Sequence, residues 1–203
     1  TGASVHSTAM PYTAPAPDTA RHPARPSDRL ADAIARAGSP VCVGLDPVLE
    51  KLPAALRAEH WEPTAAIAGF CEGVLRAVAG SVPAVKVQSA CFERYGHAGV
   101  RVLEDTCRLA RSLGLIVVLD AKRGDIGISS EHYAAAAVHA GADFITVSGY
   151  LGPSGIEPFL DAGLGVFVLV RTSNPDSDAI QARELTQGGT VAVFIGGKAS
   201  ANA

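Results

Sequence analysis

Apolar and polar residues alternate along most of the chain in the way expected for helices separated by buried strands. From Ser27 onwards, stripes in which every third or fourth residue is apolar predict helices at 27–37, 62–79, 97–113 and 130–140. A glycine follows each stripe, as is common at helix ends. Between the stripes lie short and nearly unbroken apolar runs, which predict strands at 41–45, 84–87, 115–119, 144–147 and 165–170.

Strands that are apolar on both faces indicate a parallel sheet with helical crossovers. The predicted strands recur at roughly 30-residue intervals, as in a (β/α)8 barrel or a doubly wound sheet. The doubly wound dinucleotide-binding alternative lacks its glycine signature, because Gly149-x-x-Gly152 follows the fourth strand and not the first. The pattern therefore favours an α/β fold of the (β/α)8 TIM-barrel type, of which this chain shows only about five to six β/α units.

Two serines are predicted to begin helices. Ser27 is a suitable N-cap for the first helix, and Ser154 with Glu157 has the spacing of a capping box for a short helix after the fourth strand.

Composition supports one packed domain at 27–203. The chain has 203 residues, of which 48% are hydrophobic and only 5% aromatic, so the core is expected to consist of small and branched aliphatic side chains. The net charge of −3 lacks the basic excess expected of a protein that binds nucleic acid or an anionic membrane. No apolar run approaches the ~20 residues of a membrane span.

The first 26 residues differ from the rest of the chain. Residues 1–26 are rich in Ala, Pro, Thr and Ser without periodicity, and we predict a disordered tail. Met10 is the only methionine and the chain starts with Thr, so we expect that Thr1 is not the natural start. The four cysteines form no C-x-x-C pair and are predicted to be reduced core residues, as is usual in the cytoplasm.

Polar residues lie at the ends of five consecutive predicted strands. They are Asp46, then Lys86, then Asp120 with Lys122 and Asp125, then Thr146 and Ser148, and finally Thr172 and Ser173. In a barrel, the carboxyl ends of the strands meet at the face that carries catalysis. Taken singly, Lys86 could be an edge lysine and 120–125 a solvated turn. Taken together, we expect Lys86, Asp120, Lys122 and Asp125 to neutralise one another in a chain of alternating charge.

Four segments carry a resemblance to a known family. In chain order they read Val-Gly-Leu-Asp46-Pro, Lys86-Val-Gln-Ser-Ala-Cys-Phe-Glu-Arg-Tyr-Gly, Asp120-Ala-Lys-Arg-Gly-Asp-Ile and Arg-Thr-Ser173-Asn-Pro. This combination closely resembles orotidine 5'-phosphate decarboxylases, in particular the longer bacterial subfamily typical of actinobacteria. The resemblance implies a cytoplasmic, homodimeric TIM barrel. It also implies conversion of orotidine 5'-phosphate to UMP in pyrimidine biosynthesis, without metal or cofactor.

The resemblance also implies roles for individual residues. By matching position, Asp46 resembles a ligand of the ribose hydroxyls, and Lys86 the lysine that contacts the ribose and orients Asp120. Asp120 would lie beside the departing carboxylate, and Lys122 would donate a proton to C6. Asp125 resembles the residue that reaches the neighbouring subunit's site across a dimer.

The last part of the chain departs from the family. Ser173 resembles the contact to the pyrimidine, with Thr172 beside it, but the resemblance fades after Gln181. The family's glycine-rich phosphate loop and last-strand Arg are not visible in 185–203. Residues 191–195 could form a strand, although the family has a helix there that Gly196 and Gly197 would weaken. We therefore expect a C-terminally truncated barrel that is nearly inactive as residues 1–203 alone.

Two other functions stay open at this stage. One is a magnesium-dependent lyase that shares the D-x-K-x-x-D motif, such as a 3-keto-gulonate phosphate decarboxylase or a hexulose phosphate synthase. Lys86 counts against it, because a cation stands where a metal ligand would be needed. The other is a catalytically inactive remnant or interaction partner that keeps part of the barrel.

Overall fold

Helices alternate with five strands in the computed structural model, which describes residues 25–200. The strands are β1 (Cys42–Leu45), β2 (Ala84–Gln88), β3 (Ile116–Arg123), β4 (Phe144–Ser148) and β5 (Gly165–Leu169). The helices are α1 (Pro26–Ala37), α2 (Ala54–Glu59), α3 (Pro63–Val78), α4 (Ala90–Glu93), α5 (Gly96–Ser112), α6 (Gly127–Ala140), α7 (Glu157–Asp161), α8 (Ser177–Gln181) and α9 (Val191–Ser200). The five predicted strands and four long helices are confirmed, and α2, α4 and α8 are short helices that the pattern did not predict.

All strand pairs in the sheet are parallel, and the spatial order is β1-β2-β3-β4-β5. Each strand thus lies beside its neighbour in sequence, as in a barrel. A doubly wound sheet would instead reverse its strand order at a switch point. The architecture is therefore the α/β fold of a partial (β/α) barrel.

The two faces of the sheet bury different residues. Side chains at alternate positions, such as Val85, Val117 and Ile145, are almost fully buried in the main core, together with Leu75 of α3 and Cys107 of α5. Each such aliphatic side chain contributes ~1.5–3 kcal/mol through burial.

The opposite face is apolar near the start of the strands. Ala84, Ile116 and Phe144 form a second cluster there, which α1 covers with Ala33. Because side chains of a strand alternate between faces, the positions two residues further along these strands lie on the same inner face. These positions include Lys86 and begin the site described below.

Neither predicted serine cap is observed. Helix α1 begins at Pro26 with Arg25 before it, so Ser27 lies inside the helix, and Pro at the first position suits a helix start. Ser154 lies in a 3-10 turn, and α7 begins after Ile156 without a side-chain cap. Both predictions were wrong because a proline already sets the backbone at each of these starts.

Three further expectations meet the structure differently. Residues 191–195 belong to helix α9, as the family resemblance implied, and do not form the strand that their apolar pattern also allowed. All four cysteines are free, but Cys42 is exposed rather than part of the core, while Cys71 and Cys107 are buried as predicted. The predicted tail lies almost entirely outside the described residues. Within residues 25–200, no helix combines the length and hydropathy needed to cross a membrane.

Candidate active site

Three neighbouring strands bring the predicted charged residues together at their carboxyl ends. Lys86 of β2 lies opposite Gly44 of β1 in the register, and Asp120 of β3 lies opposite Gln88 of β2. Asp46 directly follows β1. The polar side chains thus continue the inner face where the apolar cluster stops.

Asp46, Lys86, Asp120 and Lys122 form one continuous chain of alternating charge. Lys86 Nζ lies 3.4 Å from Asp46 Oδ1 and 2.9 Å from Asp120 Oδ2. Lys122 Nζ lies 2.6 Å from Asp120 Oδ1. Of the four residues expected to neutralise one another, Lys86, Asp120 and Lys122 meet, with Asp120 at the centre, and Asp46 takes the place expected for Asp125.

The Asp120 carboxylate accepts four hydrogen bonds, two on each oxygen. Oδ1 accepts from Lys122 Nζ and, at 2.8 Å, from Thr146 Oγ1. Oδ2 accepts from Lys86 Nζ and, at 3.1 Å, from Gln88 Nε2. A carboxylate offers about four lone-pair positions, so its accepting capacity is filled. The side chain is only 7% exposed, and the four donors fix its orientation.

The surroundings of Asp120 and Lys86 favour the ionised form of both side chains. Burial opposes the charge on Asp120, but hydrogen bonds from Lys122, Lys86 and Thr146 outweigh it and lower the pKa of Asp120 to about 2. Burial likewise opposes the charge on Lys86, yet Asp120 and Asp46 raise the pKa of its ammonium. The site therefore holds a carboxylate against an ammonium at neutral pH.

Lys122 has an unusual backbone. It is the one non-glycine residue within 25–200 with a positive φ, 47°. The register of β3 against β4 also shifts here: Leu119 pairs with Ile145, whereas Arg123, four residues later, pairs with Val147, only two later. A left-handed conformation costs a non-glycine residue of order 1–3 kcal/mol and is retained where the surrounding contacts enforce it.

The remaining predicted residues lie outside the charged chain. Asp125 forms no ion pair within residues 25–200, and its carboxylate accepts the N–H of Ile126 at 2.9 Å. The expectation that it neutralises a lysine of its own subunit was therefore wrong, because the loop after β3 carries it away from Lys86 and Lys122.

Thr172 and Ser173 lie in the loop after β5. The Thr172 hydroxyl donates to Asn174 Oδ1 at 2.6 Å and accepts from Gln181 Nε2 at 2.7 Å. Thr172 thus ties the loop to α8. Ser173 is exposed, and its hydroxyl has no hydrogen-bond partner within the described part of the chain, which leaves it free to meet a ligand.

Sequence reasoning placed Thr146 among the polar strand ends but gave it no role, and it did not select Gln88 as a site residue. A signal for each exists, because Gln88 is two positions after Lys86 and so shares its face, and Thr146 is a polar residue within an apolar strand.

The loop after β3 is held by a further contact, since Arg123 lies 2.5 Å from Glu93 and stacks over the Tyr133 ring at 5.0 Å.

The donor set of the described residues is one of lysines and hydrogen-bond donors around a carboxylate. Within residues 25–200, no group of three or more His, Cys, Asp or Glu side chains is arranged to hold a metal ion.

Comparison with known proteins adds relatives that carry a family name. An orotidine 5'-phosphate decarboxylase from Rhodopirellula baltica is 44% identical over 170 residues, which cover 75% of this chain and 56% of that protein. Another, from Streptomyces coelicolor, is 44% identical over 153 residues, which cover 70% of this chain and 53% of that protein. The chain thus spans somewhat more than half the length of these relatives.

Solved structures agree with these relatives. The OMP decarboxylase of Leishmania donovani matches with a TM-score of 0.71 and 31% identity, over 85% of this chain and 63% of that one. A Streptomyces avermitilis crystal structure, described as a candidate orotidine 5'-phosphate decarboxylase, matches with a TM-score of 0.76 and 37% identity, over 88% of this chain and 64% of that one. Residues 39–203, which include all the site residues described above, match the family model itself. The chain belongs to the orotidine 5'-phosphate decarboxylase / HUMPS family.

Proposed function

We propose that the protein carrying this chain decarboxylates orotidine 5'-phosphate to UMP. The observation that carries the proposal is the pair of Lys122 and the fully hydrogen-bonded Asp120 at the carboxyl ends of the strands. The names of the relatives at 44% identity support the same reaction.

The reaction requires stabilisation of an unusual carbanion. When the bond between C6 and the carboxylate breaks, CO2 leaves and the electron pair stays on C6, in an orbital that the pyrimidine π system does not delocalise. An ammonium beside C6 stabilises this charge and then transfers a proton to it. In our proposal Lys122 is this ammonium, and it regains its proton from water after UMP has left.

Asp120 holds the ammonium in place and supplies a fixed negative charge. Because its two oxygens accept four hydrogen bonds, the carboxylate cannot rotate away when a substrate binds. Its charge would face the substrate carboxylate and would be relieved as CO2 departs. Charge fixed in advance costs no reorganisation during the reaction.

We assign substrate recognition to the two ends of the site. The Asp46 side chain is 54% exposed and Lys86 partly exposed, so both can contact ribose hydroxyls while they remain paired. The free hydroxyl of Ser173 would contact the pyrimidine, with Thr172 holding the loop that carries it.

The magnesium-dependent lyase is the weaker alternative, although the family name covers more than one activity. A magnesium ion would need oxygen ligands with free lone pairs. Both oxygens of Asp120 are already occupied by two donors each, and two of those donors are ammonium groups. The inactive remnant is also the weaker alternative. The left-handed backbone of Lys122 is energetically costly and is retained only where the surrounding contacts enforce it, and those contacts are present here.

We further propose that the active unit is a homodimer formed through the face around Asp125. Four large apolar side chains in the loops after β3 and β4 and at the start of α6 are exposed there: Ile126, Ile128, Tyr150 and Leu151. The two loops adjoin, since a Cβ on Gly155 would lie 3.1 Å from the carbonyl oxygen of Asp125. An apolar patch of this kind marks a contact surface, and a second copy there could receive Asp125.

The four free cysteines support a reducing compartment, the cytoplasm.

The proposal is tested by product identity in the protein expressed from its full natural reading frame. Orotidine 5'-phosphate should yield UMP and CO2 in equal amounts, and EDTA should leave the rate unchanged. Conversion of a phosphosugar acid that EDTA abolishes and Mg²⁺ restores would instead establish the magnesium-dependent lyase. No product from either substrate would leave the inactive remnant.

A further inference from the structure

We propose that Thr146 is a positioning residue that fixes Lys122 relative to Asp120, a role that rests on the proposed function. One hydroxyl serves both residues. Thr146 Oγ1 donates to Asp120 Oδ1 at 2.8 Å and accepts the backbone N–H of Lys122 at 2.9 Å. Lys122 Nζ donates to the same Oδ1 at 2.6 Å. The hydroxyl therefore closes a ring through the Lys122 backbone, the Lys122 side chain and Asp120.

The first half of this role concerns the Lys122 backbone. The regular pairing of β3 with β4 is interrupted between Leu119 and Arg123, so the N–H of Lys122 falls where the register shifts. Thr146 supplies the acceptor from β4. Without that acceptor, the residue at φ 47° would keep its conformational cost and lose a hydrogen bond that offsets it.

The second half concerns Asp120. A hydroxyl has one proton to donate. The backbone N–H and the ammonium of Lys122 are themselves donors and cannot accept that proton, so Thr146 donates it to Asp120 Oδ1. Bonds to charged groups are about twice as strong as neutral ones. The β-branched side chain restricts the χ1 rotation of Thr146, so the oxygen is presented in a single direction.

The position of Thr146 within β4 indicates that the hydroxyl is there for these contacts. The neighbouring Ile145 and Val147 are buried in the main core, and Phe144 begins the strand on the inner face. Since the single hydroxyl proton of Thr146 is engaged with Asp120, the residue acts through Lys122 and Asp120 rather than by donating to a substrate.

Two substitutions separate the hydroxyl from the shape of the side chain. Thr146→Val keeps the volume and removes both hydrogen bonds, whereas Thr146→Ser keeps the hydroxyl. The matched control is Thr106→Val, because the buried Thr106 hydroxyl donates to a carbonyl within α5, away from the site.

We expect Thr146→Val to lower kcat for orotidine 5'-phosphate by about 10- to 100-fold with a smaller change in KM. Thr146→Ser should restore kcat to near the wild-type value, and Thr106→Val should leave it unchanged. In the same samples, hydrogen exchange of the Lys122 amide should accelerate by about 10-fold or more in Thr146→Val alone.

A folded Thr146→Val protein with unchanged Lys122 amide exchange and unchanged kcat would overturn the proposal. So would a Thr146→Ser protein that is as impaired as Thr146→Val. If the wild-type protein turned over no orotidine 5'-phosphate, the proposed function would fall, while the exchange of the Lys122 amide would still decide whether Thr146 positions Lys122.

Discussion

Lys122 Nζ contacts Asp120 Oδ1 at 2.6 Å although a single residue separates the two along β3. In a regular strand, side chains two residues apart project side by side from the same face. Here the backbone of Lys122 has a positive φ, and β3 takes up extra residues relative to β4 at this point. The irregular strand end thus aims the ammonium back at the carboxylate that precedes it.

The ionisation of Asp120 should contribute to stability. Burial opposes the charge, but its hydrogen-bond donors lower the pKa of Asp120 from 3.8 to about 2. A group whose pKa is lower in the folded state stabilises the fold above its unfolded pKa, and this contribution is lost as the pH falls through the folded pKa. We expect about 2 kcal/mol of unfolding free energy to be lost from this group between about pH 4 and pH 2.

Urea denaturation at several pH values measures this loss, with Asp120→Asn as the test variant. Asp120→Asn should show a shallower decline of unfolding free energy in the same pH range. Asp32→Asn, which changes an exposed carboxylate on α1, should decline as the wild type does. A decline in Asp120→Asn as steep as that of the wild type would contradict the assignment.

The ion pair between Arg29 and Asp143 should anchor α1 to the sheet. Arg29 lies 3.2 Å from Asp143 Oδ1, and Oδ2 of the same carboxylate accepts the N–H of Val117 at 3.0 Å. Arg29→Ala leaves a buried carboxylate without its cation, which costs about 3 kcal/mol. Thermal unfolding measures the effect, and Arg36→Ala on the exposed side of α1 is the control. Equal melting temperatures for the two variants would show that the pair does not anchor the helix.

The cysteines should differ in their reactivity towards alkylating reagents. Burial raises the pKa of both Cys71 and Cys107 to about 12, so almost no thiolate forms at neutral pH. Cys42 is exposed and should be alkylated first by iodoacetamide. Partial burial of its thiol raises its pKa as well, but the reagent can reach it. Mass spectrometry of the labelled peptides gives the order. Labelling of Cys107 before Cys42 in the folded protein would disprove this order.

A shared active site predicts complementation between two inactive variants. If Asp125 acts in the partner's site, a mixed dimer of Asp125→Ala and Lys122→Ala chains contains one site with both residues intact. Mixing the variants should then restore part of the activity that each lacks alone. Proven mixed dimers without any recovered activity would show that Asp125 is not shared.

The charged chain could be predicted from the sequence because topology determines it. A parallel sheet brings the carboxyl ends of its strands to one edge, so the position of Asp46, Lys86 and Asp120 in the strands was sufficient. The positive φ of Lys122 and the acceptor role of Thr146 could not be predicted, because they depend on how β3 and β4 shift against each other. The exposure of Cys42 depends on which other elements cover the inner face of the sheet. The apolar pattern of a single strand carries no information about those elements.

The predicted helix caps failed for a similar reason. Ser27 has a good capping side chain, but the helix starts one residue earlier, at Pro26. A proline in the first turn already fixes the backbone for a helix start, and this preference outweighed the capping side chain of Ser27. Asp125 also followed the pattern of alternating charge without joining the charged chain, since the loop direction after β3 is not encoded in residue spacing.

The central claim is that Lys122 protonates C6 of orotidine 5'-phosphate. It is tested most directly by comparing the kcat for UMP formation in the wild type, Lys122→Ala and Lys51→Ala, since Lys51 is an exposed lysine of the 3-10 turn after β1 that takes no part in the charged chain. Loss of a proton donor should lower kcat by about 100- to 10,000-fold in Lys122→Ala, and Lys51→Ala should match the wild type. A Lys122→Ala protein that forms UMP as fast as the wild type would contradict the account.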